Sequence, residues 1–226
     1  MSSQDAISSP DYHHFKSIPW CAAHLQDNAD TLIDVAPGRL SGRNLEDYLF
    51  SRTFNTKDTI PAFLAIFDLP PPTPSSSPSS SRNSTSPPQP PPSEPSTEPP
   101  ETTLPATPAP APLIRSVKVL VSVGGSLAGF PSTAHGGIVA TILDEVTGMF
   151  FPINKARGAL PNRPFMTASL LTTFVRPVPA PGTFLCRARI DRVDGRKVFV
   201  VGSLEDETGT VLAKADALFV AIREKL

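Results

Sequence analysis

Downstream of residue 112 the pattern of apolar and polar positions resolves into a short list of elements. Residues 183–193 alternate: Phe184, Cys186, Ala188 and Ile190 fall on one side, Arg187, Arg189 and Asp191 on the other. That period of two is the signature of a half-buried strand. Asp194-Gly195 predicts a hairpin turn. Residues 196–204, centred on Val198-Phe199-Val200-Val201, form the returning strand, and Thr208-Gly209 marks a turn into a last strand over 211–222. Upstream, the β-branched stretch 113–123 stops at Gly124-Gly125, and a strand over 165–175 stops at Arg176-Pro177-Val178-Pro179. Between them lies a helical pattern over about 136–151. Ile138, Val139, Ile142, Leu143, Val146 and Met149 supply its buried stripe. The order β-α-β-β-β-β predicts an α+β fold in which one long helix covers one face of an antiparallel sheet.

Residues 1–69 read as a mostly helical extension. Pro19-Trp20-Cys21 starts one short helix. Residues 44–50 start another, with Leu45, Tyr48 and Leu49 on one face. Residues 59–67 (Thr-Ile-Pro-Ala-Phe-Leu-Ala-Ile-Phe) read as a helix with Pro61 in its first turn and apolar residues around most of its circumference. Residues 70–112 are dominated by Pro, Ser, Thr and Glu. Their prolines block ladder and helix hydrogen bonds, and their hydroxyl residues bury little. This composition predicts a disordered, partly polyproline linker that acts as a spacer. The expected organisation is an extension over 1–69, a linker over 70–112 and a folded domain over 113–226.

Composition narrows the function classes. The net charge of −1 over 226 residues creates no field favouring nucleic acid or an anionic membrane. Two cysteines, Cys21 and Cys186, lie far apart with no metal-ligand spacing; they read as structural thiols in a reducing compartment. No uninterrupted apolar run long enough for a membrane span is expected. The N-terminal residues lack the basic and apolar regions of a secretory signal, and Asp5 without an early Arg makes a poor mitochondrial transit peptide. Cytoplasm follows by elimination as the expected compartment.

The chemistry concentrates at 134–145, Ala-His-Gly-Gly-Ile-Val-Ala-Thr-Ile-Leu-Asp-Glu. Gly136-Gly137 at a helix start lets backbone N–H groups approach a ligand closely, where the helix dipole favours negative charge. Asp144 sits two and a half turns later beside the apolar stripe, with Thr141 and Gly148 at i−3 and i+4. A carboxylate in so apolar a run carries a desolvation cost. A lone helix Asp is ordinarily solvated; the glycine turn at this spacing moves the reading to a site with an oxyanion donor and an acid/base carboxylate. His135 reads as a residue that caps or orders the turn rather than one that moves protons. Ser126 fails as a nucleophile elbow because Ala128 stands where G-x-S-x-G needs glycine. Gly124-Gly125 fits neither a dinucleotide fingerprint nor a P-loop. No His/Cys cluster supports a metal, and no cofactor is expected.

The pattern H-G-G-x-x-A-x-x-x-D resembles the signature of the hotdog-fold acyl-CoA thioesterases, nearest to their PaaI/THEM4-like branch. The resemblance spans roughly 113–224. It also rests on Phe165-Met166-Thr167-Ala168-Ser169-Leu170 with Val175-Arg176-Pro177-Val178-Pro179, and on Val193-Asp194-Gly195-Arg196-Lys197-Val198-Phe199. Asn55-Thr56-Lys57-Asp58-Thr59-Ile60 followed by a Pro/Ser-rich spacer is similar to fungal members. The resemblance implies an antiparallel sheet wrapped around one central helix, and a homodimer or homotetramer with an active site at the dimer interface. By position, Asp144 becomes the nucleophile or base that activates water. Gly136 becomes the oxyanion donor, His135 shapes the turn, and Gly137 contacts substrate. Thr167 would come from the partner subunit to orient the water. Arg196 and Lys197 become candidates for the phosphates of CoA. Some relatives place an Asn or Gln about six residues before the His as a second donor; here that region is Gly129-Phe130-Pro131-Ser132-Thr133, so Ser132 or Thr133 substitutes or the hole has fewer donors.

The function this implies is hydrolysis of an acyl-CoA or related acyl thioester to a free acid and a thiol. Two alternatives stand beside it. One is a catalytically weak acyl-thioester-binding or regulatory protein. The other is a hotdog hydratase or dehydratase, although an Asp nine residues after the His suits hydrolysis better. Acyl chain length, and CoA against a carrier-protein thioester, stay open at this stage.

Overall fold

The computed structural model describes residues 3–26, 29–35, 39, 48–71 and 111–222. Its centre is a seven-stranded antiparallel sheet in the order β1-β2-β3-β7-β8-β9-β6. The strands are β1 (Thr31–Val35), β2 (Ala62–Asp68), β3 (Ser116–Val123), β6 (Phe165–Phe174), β7 (Gly182–Asp194), β8 (Lys197–Glu205) and β9 (Val211–Ala221). A small hairpin, β4 (Ala128–Phe130) and β5 (Thr133–Ala134), leads into helix α4 (Gly136–Gly148) and its continuation α5 (Phe150–Ala156). Three short helices, α1 (Ser3–Ile7), α2 (Pro10–Lys16) and α3 (Pro19–Ala22), precede the sheet.

The predicted alternation of β7 is realised. Phe184, Cys186, Ala188 and Ile190 are buried while Arg187, Arg189 and Asp191 are exposed. The helix stripe is realised too: Val139, Ile142, Leu143, Val146 and Met149 are buried in one core with the inward sides of β2, β3, β7, β8 and β9. Contact is close where residues are small, since a Cβ on Gly202 would lie 3.3 Å from Thr147 of the helix. Gly136–Ala156 has the length and apolar composition of a bilayer span, but its apolar stripe is packed against this sheet. Asn154 ties α5 to the segment that leads into β3: its amide accepts from the Ile114 N–H at 2.8 Å and donates to the Ile114 carbonyl at 2.9 Å.

One expectation is overturned. Residues 59–67 do not form a helix; 62–68 is strand β2, paired with β3 from Ala62↔Ser122 to Asp68↔Ser116. The physical reason is burial on both faces. Phe63, Ala65 and Phe67 face the main core, while Ala62, Leu64 and Ile66 face a second core with Phe15, Cys21, Leu25, Leu120 and Leu185. A strand covered on both sides is continuously apolar and has lost the period that separates strand from helix. The segment before the Pro-rich stretch is therefore only partly helical. It contributes β1 and β2 to the sheet and covers the outer face of that half with α1–α3. The short helix at Pro19 forms, Tyr48 is helical and a π turn spans Leu49–Thr53; residues 44–47, and 72–110 of the expected linker, lie outside the described residues.

The N-terminal cover is fastened by polar contacts. The Ser9 hydroxyl caps α2 by accepting from the Tyr12 N–H. Asp11 receives Arg39 at 3.0 Å and the backbone N–H of Phe63 at 3.1 Å, and Arg39 also donates to the Ile60 and Pro61 carbonyls. His14 Nε2 lies 2.8 Å from Ser122 Oγ, which in turn lies 2.8 Å from Thr183 Oγ1.

Candidate active site

The start of α4 is held from three sides. The Ala134 N–H donates to the Val178 carbonyl at 2.8 Å, the His135 N–H to Leu127 at 2.8 Å, and the Ala180 N–H to Ser132 at 3.1 Å. His135 is the N-cap, with extended φ/ψ of −61° and 135°, and its Nδ1 accepts from the Gly137 N–H at 3.0 Å. In its neutral form the ring then carries its proton on Nε2. The contact engages the Gly137 N–H, while Gly136 lines the cleft beside it. That cleft, about 360 Å³, is lined by Thr133, Gly136, Val139, Phe174 and Arg176 among others. The Phe174 ring lies on Gly136, where an added Cβ would sit 3.3 Å from its tip. Of the two candidate substitute donors, Thr133 lines this cleft. Ser132 sits in the β4–β5 turn in the left-handed region, at φ 56°.

Gly129 was not singled out by sequence reasoning. A Cβ there would fall 2.9 Å from the Cα and 2.7 Å from the ring Cδ2 of His135. Its signal in the sequence is its position, six residues before the His, where a glycine stands instead of a side-chain amide.

At the other end of the helix, Asp144 is half-buried and accepts a hydrogen bond from Thr167 Oγ1 at 3.0 Å. The ladder between β6 and β9 slips here: Thr167 pairs with Phe219 but Ser169 pairs with Leu218, leaving Ala168 as a bulge. Bulges re-aim a side chain, and this one lets Thr167 face inward onto the helix while Ser169 faces out. Thr167, expected to orient the water from a partner subunit, here reaches Asp144 of its own chain, because β6 passes directly over the helix.

The helix holds Gly136 and Asp144 apart. Eight residues at 1.5 Å each put about 12 Å between them along the axis. Within one chain the expected oxyanion donor and the expected base do not meet on one carbonyl carbon. Arg196 and Lys197 belong to the Asp144 end. Gly195, at φ 55°, and Arg196 form the β7–β8 turn, and the row Lys197–Val220–Met166 adjoins the row Val198–Phe219–Thr167. Arg196 donates to the Ala221 carbonyl at 3.0 Å, and Lys197 is exposed.

The thiols take no part. Cys21 and Cys186 are unpaired and buried, and burial pushes Cys21 up to about 12 and raises Cys186 as well. Among the described residues no cluster of three His, Cys, Asp or Glu could hold a metal ion.

The sequence profile of the thioesterase superfamily matches residues 132–213, from the β4–β5 turn through the helix and into β9. The acyl-coenzyme A thioesterase THEM4 of Mus musculus is 31% identical over 100 residues, 44% of this chain and 40% of that protein. The match thus spans less than half of that relative's length. Verlamelin biosynthesis protein B of Lecanicillium sp is 26% identical over 92% of this chain and 86% of that protein. The crystal structure of a thioesterase superfamily protein, 32% identical, superposes with a TM-score of 0.40 over 46% of this chain and 48% of that one. With its helix wrapped by an antiparallel sheet and the profile match across that helix, the segment 132–213 is similar to the thioesterase superfamily, and the fold around it is the hotdog arrangement.

Proposed function

We propose that the chain hydrolyses acyl-CoA thioesters at a site assembled from two copies. The observation that carries this reading is the division of the parts: Asp144 with Thr167 at one end of α4, and Gly136 about 12 Å away at the other. The edge strand supplies a way to close the gap. Among the described residues β6 pairs on one side only, with β9, and it exposes Met166, Leu171 and Phe174 at 61%, 63% and 55%. Such an apolar edge calls for a partner. If β6 pairs antiparallel with its own copy across a two-fold axis, the strand directions oppose. Pairing about the middle of the strand sets Thr167 against Thr172 of the partner subunit, two residues from the end that covers Gly136. The Asp144 of one copy then approaches the helix start of the other.

In that site Asp144 takes the proton of a water held beside Thr167, and the water oxygen attacks the thioester carbonyl carbon. The carbonyl oxygen becomes an oxyanion facing the Gly136 N–H and the positive end of the helix dipole. Collapse of the intermediate expels the thiolate, which is protonated to the free thiol. In this reading Arg196 and Lys197, near the Asp144 end, meet the phosphates of CoA. The acyl-CoA substrate is favoured by the names of the relatives that match the helix segment. The likeness over 92% of the chain to a protein named for verlamelin biosynthesis favours a second reading of the substrate: an acyl thioester of a biosynthetic pathway.

Thiol release from a panel of acyl-CoAs tests the proposal, with Asp144→Ala and Thr167→Val beside the unaltered chain. Loss of the base is expected to cost kcat/KM about 100-fold or more, and loss of the Thr167 hydroxyl about tenfold. Turnover undiminished in Asp144→Ala would remove this carboxylate from the mechanism. Saturable binding without thiol release by the unaltered chain would instead identify an acyl-thioester-binding protein.

A further inference from the structure

A groove of about 450 Å³ lies on the outer face of the sheet, on the side away from α4, and the thioester chemistry does not use it. Its lining presents four cations, Lys118, Arg187, Arg189 and Lys214, with the hydroxyls of Ser116 and Ser203, against one carboxylate, Asp68. The ladders align them: Lys118 pairs with Arg187, Arg187 with Ser203, and Ser203 with Lys214, one row across β3, β7, β8 and β9.

Like charges directly opposite in an antiparallel pair are destabilising, and the acids Asp68, Glu205, Asp191 and, in the next row of β9, Asp216 lie around these cations. Asp68 lies 3.4 Å from Lys118. Glu205 accepts from Arg187 at 3.0 Å and from Ser203 at 2.7 Å. The Arg187 contact runs through Nε, not through the terminal nitrogens that form the fork suited to phosphate. Arg189 pairs with Asp191 at 3.2 Å and stays largely exposed. Lys214 has no ion pair among the described residues. The cations are felt nearby. His24 is held below its ordinary pKa first by burial and then by Arg187 and Lys118, with Glu205 opposing.

We propose that this groove binds a compact anion carrying two or more phosphoryl groups. Spacing sets the size. Lys118 and Lys214 are three strands apart, about 14 Å between backbones at the usual strand separation. A phosphoanhydride lets the two ammonium groups and the Arg187 fork converge on separate phosphoryl groups. Ser116 and Ser203 supply neutral donors along the row. Inorganic pyrophosphate and nucleoside diphosphates share this chemistry.

Isothermal titration of the full chain with pyrophosphate and with ADP tests the site, beside Lys214→Glu, the milder Lys214→Gln, and Arg189→Glu. Saturable binding is expected that weakens with added salt. Either charge reversal is expected to weaken it about tenfold or more, the loss that one charge-assisted contact implies. Unliganded melting temperature and basal thioester hydrolysis are expected to stay unchanged in Lys214→Gln. Tighter binding of ADP assigns a nucleotide to the groove; equal affinity assigns the phosphoryl groups alone. Absence of saturable binding to both anions, or binding that all three variants retain in full, overturns the proposal.

Discussion

At the scale of single residues the site depends on atoms that have no freedom to move. Gly129 is the sharpest case. A methyl group there meets the backbone Cα of His135 at 2.9 Å, so the N-cap itself must shift rather than a flexible side chain. His135 in turn holds the Gly137 N–H at 3.0 Å and so fixes the direction of the helix start. Gly129→Ala is therefore expected to displace the oxyanion donor and lower kcat by about tenfold or more, since a misplaced donor loses most of its value. Steady-state kinetics with a melting curve as control checks this; unchanged kcat in a folded Gly129→Ala would show that the cap geometry has no bearing on catalysis. The Asp144 motif was legible because a carboxylate beside an apolar stripe needs a reason. Its partner was reached only through the resemblance. Thr167 is an ordinary strand residue by pattern, and only the slip at Ala168 turns it onto the helix.

At the scale of elements, legibility followed burial. β7, β8 and β9 show a usable period because one side meets the core and the other is charged or partly exposed. β2 lost its period because α1–α3 cover its second face. Its partner β3 begins at Ser116, after the long Pro-rich stretch, and local pattern carries no information on so distant a pairing. β6 differs from the other strands. It was recognisable as a strand, but nothing in its sequence said that it stands at an edge with Met166, Leu171 and Phe174 exposed. A charge in the middle of that edge tests its role. Leu171→Asp is expected to shift the chain from dimer to monomer in sedimentation equilibrium while leaving the circular dichroism unchanged, because an unpaired carboxylate opposes an apolar interface. A Leu171→Asp chain as dimeric as the unaltered one would place the interface elsewhere.

At the scale of the whole molecule, the length of α4 is the governing fact. The helix separates the Gly136 donor from the Asp144–Thr167 pair by about 12 Å, so the hydrolytic reading requires two copies, each lending one half to each of two sites. Complementation between two inactive variants tests this most directly. Asp144→Ala removes the base. Gly136→Pro removes the N–H donor at the first helical position, where the backbone suits proline and the Phe174 ring, 3.3 Å from its Cβ, moves slightly. Each variant alone is expected to be nearly inactive. After mixing and exchange of subunits, half of the dimers are mixed, and each mixed dimer holds one site with both halves intact. Recovery of about a quarter of the unaltered activity is expected. No recovery, from variants shown to exchange subunits, would contradict a site shared between copies.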